Sequence, residues 1–167
     1  MSGRVSDPEG KPIAGALIEV WQTAPNQLYD VQDKDQPQGH LRASFRTDTA
    51  GNYRFRTILP VSYPIPDDGP AGQLLAAMGR HPFRPAHVHF MISAPGYRTL
   101  VTHLFFEGDE YLESDAVFGV KPSLVVRPES KGGINGVEYD FGLGRELHAG
   151  SARLQSFVAA NNEKSAQ

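Results

Sequence analysis

Arg84-Pro85-Ala86-His87-Val88-His89-Phe90-Met91-Ile92 is the most apolar strand candidate in the chain, and it carries two imidazoles. Successive side chains of an extended chain point to opposite faces, so His87, His89 and Met91 share one face and Val88, Phe90 and Ile92 share the other. The second face reads as core. Two histidines side by side on a rigid strand are either a metal site or an accident of packing, and the surrounding chain must decide between them.

Working outward, Leu59-Pro60-Val61-Ser62-Tyr63-Pro64-Ile65-Pro66 lies upstream, and its prolines hold the residues before them extended, which stiffens Tyr63. Pro70, apolar Leu74, Leu75 and Met78, and Gly79 describe a short helix. Downstream, Ala94-Pro95-Gly96-Tyr97 turns the chain and Thr99 to Phe106 returns as a strand with Val101, His103 and Phe105 on one face. Ser123 to Arg127 and Val137 to Leu143 are further strand candidates, separated by Glu129-Ser130-Lys131-Gly132-Gly133. Leu154, Phe157 and Val158 at helical spacing suggest a closing helix before a polar tail.

Toward the amino terminus, Gly3 to Ser6 and Ala16 to Thr23 read as neighbouring strands joined through turns at Asp7-Pro8-Glu9-Gly10 and Pro12 to Gly15. Leu41 to Thr47 and Tyr53 to Thr57 alternate apolar with polar residues around Asp48-Thr49-Ala50-Gly51-Asn52, the pattern of a hairpin. Ala24 to His40 is polar and turn-rich. It is too long for a passive connection and reads as a functional loop, with Leu28 and Tyr29 as its sizeable apolar pair. The expected fold is mainly β: a β-sandwich of about eight short strands, with long loops and one or two short helices. One domain is expected over 1–167, with a core at about 3–143 and a helix and polar tail at 144–167.

Composition narrows the function classes. Hydrophobic content of 40% with 21% charged residues is globular, and 17 Gly with 13 Pro suits many short strands. No cysteine is present, so thiolate metal sites and a cysteine nucleophile are excluded, and any metal needs N and O ligands. A net charge of -3 without a basic block gives no footprint for nucleic acid. No apolar run approaches a membrane span and Met1-Ser2-Gly3-Arg4 does not open a signal peptide, so a cytoplasmic protein is expected.

For the His-X-His pair, zinc is the commonest ion, and His103 on the neighbouring strand is the nearest candidate for a third ligand, with His81 and His40 further options. Tyr29 and Tyr63 sit in stiffened loops, where a tyrosine is more often buried with a satisfied hydroxyl than a metal ligand. Arg84 reads as a surface charge unless a metal lies beside it, in which case it suits an anionic substrate.

Four motifs in this order resemble the catalytic domain of the intradiol ring-cleavage dioxygenases: Trp21-Gln22-Thr23-Ala24-Pro25 leading to Leu28-Tyr29-Asp30; Thr57-Ile58-Leu59-Pro60-Val61-Ser62-Tyr63-Pro64; Gly79-Arg80-His81; and Arg84-Pro85-Ala86-His87-Val88-His89. Val101-Thr102-His103 and Tyr111-Leu112-Glu113-Ser114-Asp115-Ala116-Val117-Phe118-Gly119-Val120-Lys121 are closest to the hydroxyquinol branch. The resemblance implies a non-haem Fe(III) enzyme that inserts both atoms of O2 into a catechol-type ring. Hydroxyquinol going to maleylacetate is the first expectation, and catechol going to cis,cis-muconate the alternative. By the same resemblance Tyr29, Tyr63, His87 and His89 would be the ferric ligands. Tyr63 would take a substrate proton, and Arg84 would lie by the ring against the charge that develops. His103 would orient a ligand or the oxygenated substrate. Leu28, Asp30, Ala116 and Val117 would line the pocket. The partners expected are thus a small aromatic diol or triol and O2.

In the catechol and hydroxyquinol enzymes that this chain resembles, a helical domain precedes the sandwich, pairs subunits and supplies part of the pocket wall, whereas the protocatechuate branch lacks it. Met1 stands directly before the first expected strand, so the chain is expected to be a natural single-domain enzyme or a fragment, with oligomerisation left open. Two rivals from other classes are a non-catalytic sandwich module, suggested by Gly3 to Val20 and Thr47 to Phe55, and a zinc hydrolase using His87, His89 and His103.

Overall fold

The computed structural model describes residues 1–146. The closing helix expected around Leu154, Phe157 and Val158 lies outside the described residues. Among the described residues the strands are β1 (Ser2–Ser6), β2 (Leu17–Trp21), β3 (Arg42–Arg46), β4 (Asn52–Arg54), β5 (Tyr63–Pro64), β6 (Phe83–Arg84), β7 (His87–Ser93), β8 (Leu100–Phe106), β9 (Val125–Val126), β10 (Glu129–Lys131), β11 (Ile134–Gly136) and β12 (Phe141–Gly142), with one α-helix α1 (Pro70–Ala77) and a short 3-10 helix (Pro122–Leu124). None of the helices among the described residues is long and apolar enough to cross a membrane.

Two layers form. One is a five-stranded sheet in the order β3-β2-β7-β8-β9, the other a three-stranded sheet in the order β12-β1-β4. As the alternation requires, Val88, Phe90 and Ile92 of β7 are 0–1% exposed and join Ile18 and Val20 of β2 and Leu104 of β8 in one core. From the opposite layer, Val5, Tyr53 and Phe141 close onto the same cluster, with the Phe90 and Phe141 rings 4.9 Å apart. Burying whole Phe, Ile, Leu and Val side chains contributes roughly 1.5–3 kcal/mol each, so these residues dominate the stability of the sandwich.

The sheet membership of the first four strands departs from the sequence reading. β1 and β2 lie in different sheets, and so do β3 and β4. The Asp48–Asn52 turn does form, with the Asp48 carboxylate accepting from the Ala50 and Asn52 amides, but it is a crossover between layers and not a hairpin. β3 pairs with β2, whereas β4 pairs antiparallel with β1. The cause is burial: Phe45 and Tyr53 both reach the shared core, and they can do so only from opposite layers. The segment read as a separator at Glu129 to Gly133 is itself part of the β10–β11 hairpin, whose turn is Gly132 and Gly133 with φ of 60° and 78°.

Pro85 explains why the decisive stretch is two strands and not one. It has no N–H to give to a ladder, so β6 ends at Arg84 and β7 begins at His87. β6 instead pairs with β5, setting Tyr63 opposite Arg84.

β1 also depends on a close approach. A Cβ on Gly3 would lie 1.8 Å from the Tyr139 carbonyl oxygen, a contact only backbone movement can relieve. Gly3→Ala should therefore destabilise the chain by about 1–3 kcal/mol, read as a fall of roughly 2–4 °C in Tm for each kcal/mol. An unchanged Tm would show that the first strand does not hold this approach.

Candidate active site

Each of the four expected ligands comes from a different local device. His87 and His89 stand on the non-core face of β7, Tyr63 on the short β5–β6 ladder, and Tyr29 in the long loop between β2 and β3. That loop is held by its own polar groups. Gln32 accepts from the Tyr29 amide, and the Asp30 carboxylate accepts from Arg42 at 2.7 Å and from the Gly39 amide at 3.0 Å. A second carboxylate, Asp109, accepts from Ser62 Oγ at 2.6 Å and from the Ala86 amide at 2.9 Å. It thereby ties the residue before Tyr63 to the residue before His87.

The four donor atoms close a ring. Tyr29 Oη lies 2.7 Å from Tyr63 Oη and 2.9 Å from His89 Nε2, Tyr63 Oη lies 3.3 Å from His87 Nε2, and the two Nε2 atoms are 3.0 Å apart. His87 Nδ1 is 2.6 Å from the Pro85 carbonyl, which can only accept, so Nδ1 carries the proton and Nε2 turns its lone pair into the ring. Neighbouring ligands at right angles around a cation at about 2.1 Å stand about 3 Å apart, so the edges of this ring have the spacing that a bound cation needs. Two phenols beside two imidazoles form a donor set suited to a hard, highly charged metal.

Burial lowers His89 to about 2, helped by the neighbouring His87 and His103. It also lowers His87 to about 3, with the Arg84 cation adding to the effect. Both imidazoles are therefore neutral over the physiological range, which is the ligating form. Burial and the adjacent Tyr63 push the Tyr29 phenol well above its ordinary value. A cation in the ring would reverse that shift by favouring the phenolate.

The family whose description reads Dioxygenase matches residues 1–145. The chain belongs to the intradiol dioxygenase family. It is 51% identical over 159 residues to a hydroxyquinol 1,2-dioxygenase of a Rhizobium species, an alignment that covers 87% of this chain and 54% of that protein. To a catechol 1,2-dioxygenase of Candida albicans it is 42% identical over 171 residues, covering 99% of this chain and 56% of the other. The structure of hydroxyquinol 1,2-dioxygenase from Pseudomonas putida superposes with a TM-score of 0.81 at 49% identity, covering 87% of this chain and 55% of that one. The chain thus spans about half the length of the relatives it matches.

Around this dioxygenase ring the remaining expected residues are placed unevenly. Arg84 is buried, with Nη1 3.1 Å from His87 Nε2 and Nε 3.2 Å from Asp115. His103 sits opposite His89 in register, its ring edge-on to His89 at 4.7 Å and to His87 at 5.4 Å. It packs beside the two histidines of the ring. Among the described residues no three His, Cys, Asp or Glu side chains gather as a cation site, so the three-histidine zinc arrangement is not built. Ala116 is buried, and its amide donates to the Phe83 carbonyl, whereas Val117 and Leu28 are exposed. Asp30 has its carboxylate engaged by Arg42 and Gly39, so it braces the loop that carries Tyr29.

Sequence reasoning missed three contacts. Trp21 stacks on His89 at 4.8 Å with planes 5° apart, and two of the acidic side chains of the 107–121 stretch, Asp109 and Asp115, reach the segment that carries Arg84 and His87. Trp21 could have been found by asking which residue faces His89 across the sheet. No local pattern marks either aspartate.

Because the folded values of His87 and His89 lie below the ordinary 6.5, the unfolded chain binds more protons between about 3 and 6.5. The metal-free chain should be most stable above that window and lose stability as pH falls through it. A series of thermal melts should show Tm falling from pH 6.5 downward, with a shallower slope for His89→Gln. The same slope in both would mean that His89 is not held neutral.

Proposed function

We propose that the chain is the catalytic part of a non-haem Fe(III) intradiol dioxygenase that inserts both atoms of O2 into a catechol-type ring, with hydroxyquinol as substrate and maleylacetate as product. The observation that carries this reading is the closed ring of Tyr29, Tyr63, His87 and His89 donor atoms with edges of 2.7–3.3 Å. A spacer or binding module has no use for such a set. Ferric iron held by these four residues would supply Lewis acidity toward the two substrate oxygens and the covalency that opens the ring carbon to O2.

The other roles belong to side chains of this chain. Tyr63 Oη, 8% exposed as a residue and flanked by Tyr29 Oη and His87 Nε2, would, once ionised by the cation it helps to hold, take a proton from a substrate hydroxyl. Arg84 Nη1 stands 3.1 Å from His87 Nε2, a donor that would turn to a substrate oxygen gaining negative charge once that nitrogen is committed to the metal. Trp21 and His103 pack against His89 and limit its rotation. Hydroxyquinol is preferred over catechol because the hydroxyquinol relative is 51% identical and the catechol relative 42%.

Loaded with ferric iron, the chain should turn red to brown from phenolate-to-iron charge transfer and change colour when hydroxyquinol or catechol is added without oxygen. A chain that stays colourless and inert after reconstitution is not a dioxygenase. Tyr63→Phe should keep part of the iron but lose about 10²-fold or more in oxygen uptake, whereas His87→Ala should lose the metal. Full iron and full turnover in both variants would refute the ligand assignment. Oxygen uptake measured on each substrate in parallel should favour hydroxyquinol.

A further inference from the structure

An arginine that is to meet charge at one point must have its guanidinium plane fixed, and its flexible stem does not fix it. The contact that does so at Arg84, and that a metal on His87 Nε2 would leave in place, is made by Asp115. Nε is held at 3.2 Å by Asp115 Oδ1, while Nη1 stands 3.1 Å from His87 Nε2 at the edge of the ring and Nη2 is buried without a partner beside Gly119. The side chains of Arg84 and Asp115 are only 7% and 2% exposed.

Asp115 is itself unusually well anchored. Its Oδ1 accepts from the Val117 amide at 3.3 Å, its Oδ2 from the Gly119 amide at 2.8 Å, and its carbonyl from Phe118 N at 3.0 Å and Arg80 Nη2 at 2.9 Å. These bonds hold Phe118 at φ 55°, a left-handed conformation that costs a bulky residue energy and persists only where the surroundings impose it. A Cβ on Gly119 would stand 3.1 Å from both Arg84 Nη2 and Asp115 Oδ2, so bare backbone flanks the pair at this point. The carboxylate thus joins the guanidinium to the turn that presents Val117.

We propose that Asp115 is the positioning residue for Arg84: it sets the aim of the guanidinium at the substrate oxygen and couples that aim to the turn at 115–119. The assignment rests on the dioxygenase reading above. Asp115 touches neither the ring of ligands nor the substrate and acts through Arg84. A merely stabilising ion pair would share the burial but would not make its effect on turnover depend on Arg84.

The test uses the full chain loaded with ferric iron, as Asp115→Asn and Asp115→Ala, each alone and combined with Arg84→Lys. Iron content and the charge-transfer band should match the parent, because the four ligands are untouched. Turnover should fall about 10–100-fold, with KM moved less than about threefold, as expected where an interaction made in the transition state is lost. In the combined variants the loss should not exceed that of Arg84→Lys alone. In the gallium-loaded chain, which is diamagnetic, the Arg84 Nε–H should give a protected NMR resonance that Asp115→Ala abolishes. Asp115→Asn keeps the side-chain shape and carries the decision if the alanine variant fails to fold. Parent-like turnover in Asp115→Asn, or losses that multiply in the double variant, would overturn the proposal while leaving the dioxygenase reading intact. A parent chain that binds iron but turns over nothing would defeat that reading and the proposal together.

Discussion

Because side chains alternate with a period of two along a strand, a slip of β7 by one residue against β2 and β8 would turn both imidazoles into the core and send Val88, Phe90 and Ile92 to the other face. The pairing that prevents this sets Trp21 beside His89 on one flank and His103 beside it on the other. Three side chains at 0–1% exposure hold that register against the opposite sheet. The same apolar burial that builds the sandwich therefore displays two histidines on its other side, about one strand repeat apart, and the site inherits the rigidity of the core.

Around that pair the protein gathers neutral donors and a buried cation. Burial discharges the imidazoles and keeps the Tyr29 phenol protonated, while Arg84 stands against His87. Lone pairs crowded to about hydrogen-bond distance with few protons to share are a costly arrangement in a low-dielectric interior unless a positive ion joins them. Pro85 serves the same end by two routes. Its missing N–H separates β6 from β7, and its carbonyl fixes the His87 tautomer.

Legibility followed the range of the interactions. The short helix and the Asp48–Asn52 turn rest on contacts between near neighbours, and the decisive strand announces itself by its two-residue alternation, so each is present close to where the pattern placed it. Sheet membership rests on contacts between distant segments. β3 and β4 separate into two layers because Phe45 and Tyr53 compete for one core, which no local alternation records. Asp109 and Asp115 look like ordinary loop aspartates in the chain, yet they bond to Ser62, Ala86 and Arg84 from 23 to 47 residues away.

The sequence by itself determined the mainly β character, the two faces of the His87–His89 strand and, through its resemblance to a known family, the candidate ligands, because residue identity and short-range spacing carry that information. Only the tertiary structure decided that Tyr29, Tyr63, His87 and His89 meet in one ring, that His103 stands beside it, and that Asp30 braces a loop. Those facts depend on how segments far apart in the chain pack onto a common core. Packing of that kind is set by the balance of all buried surfaces together, and no single stretch contains it.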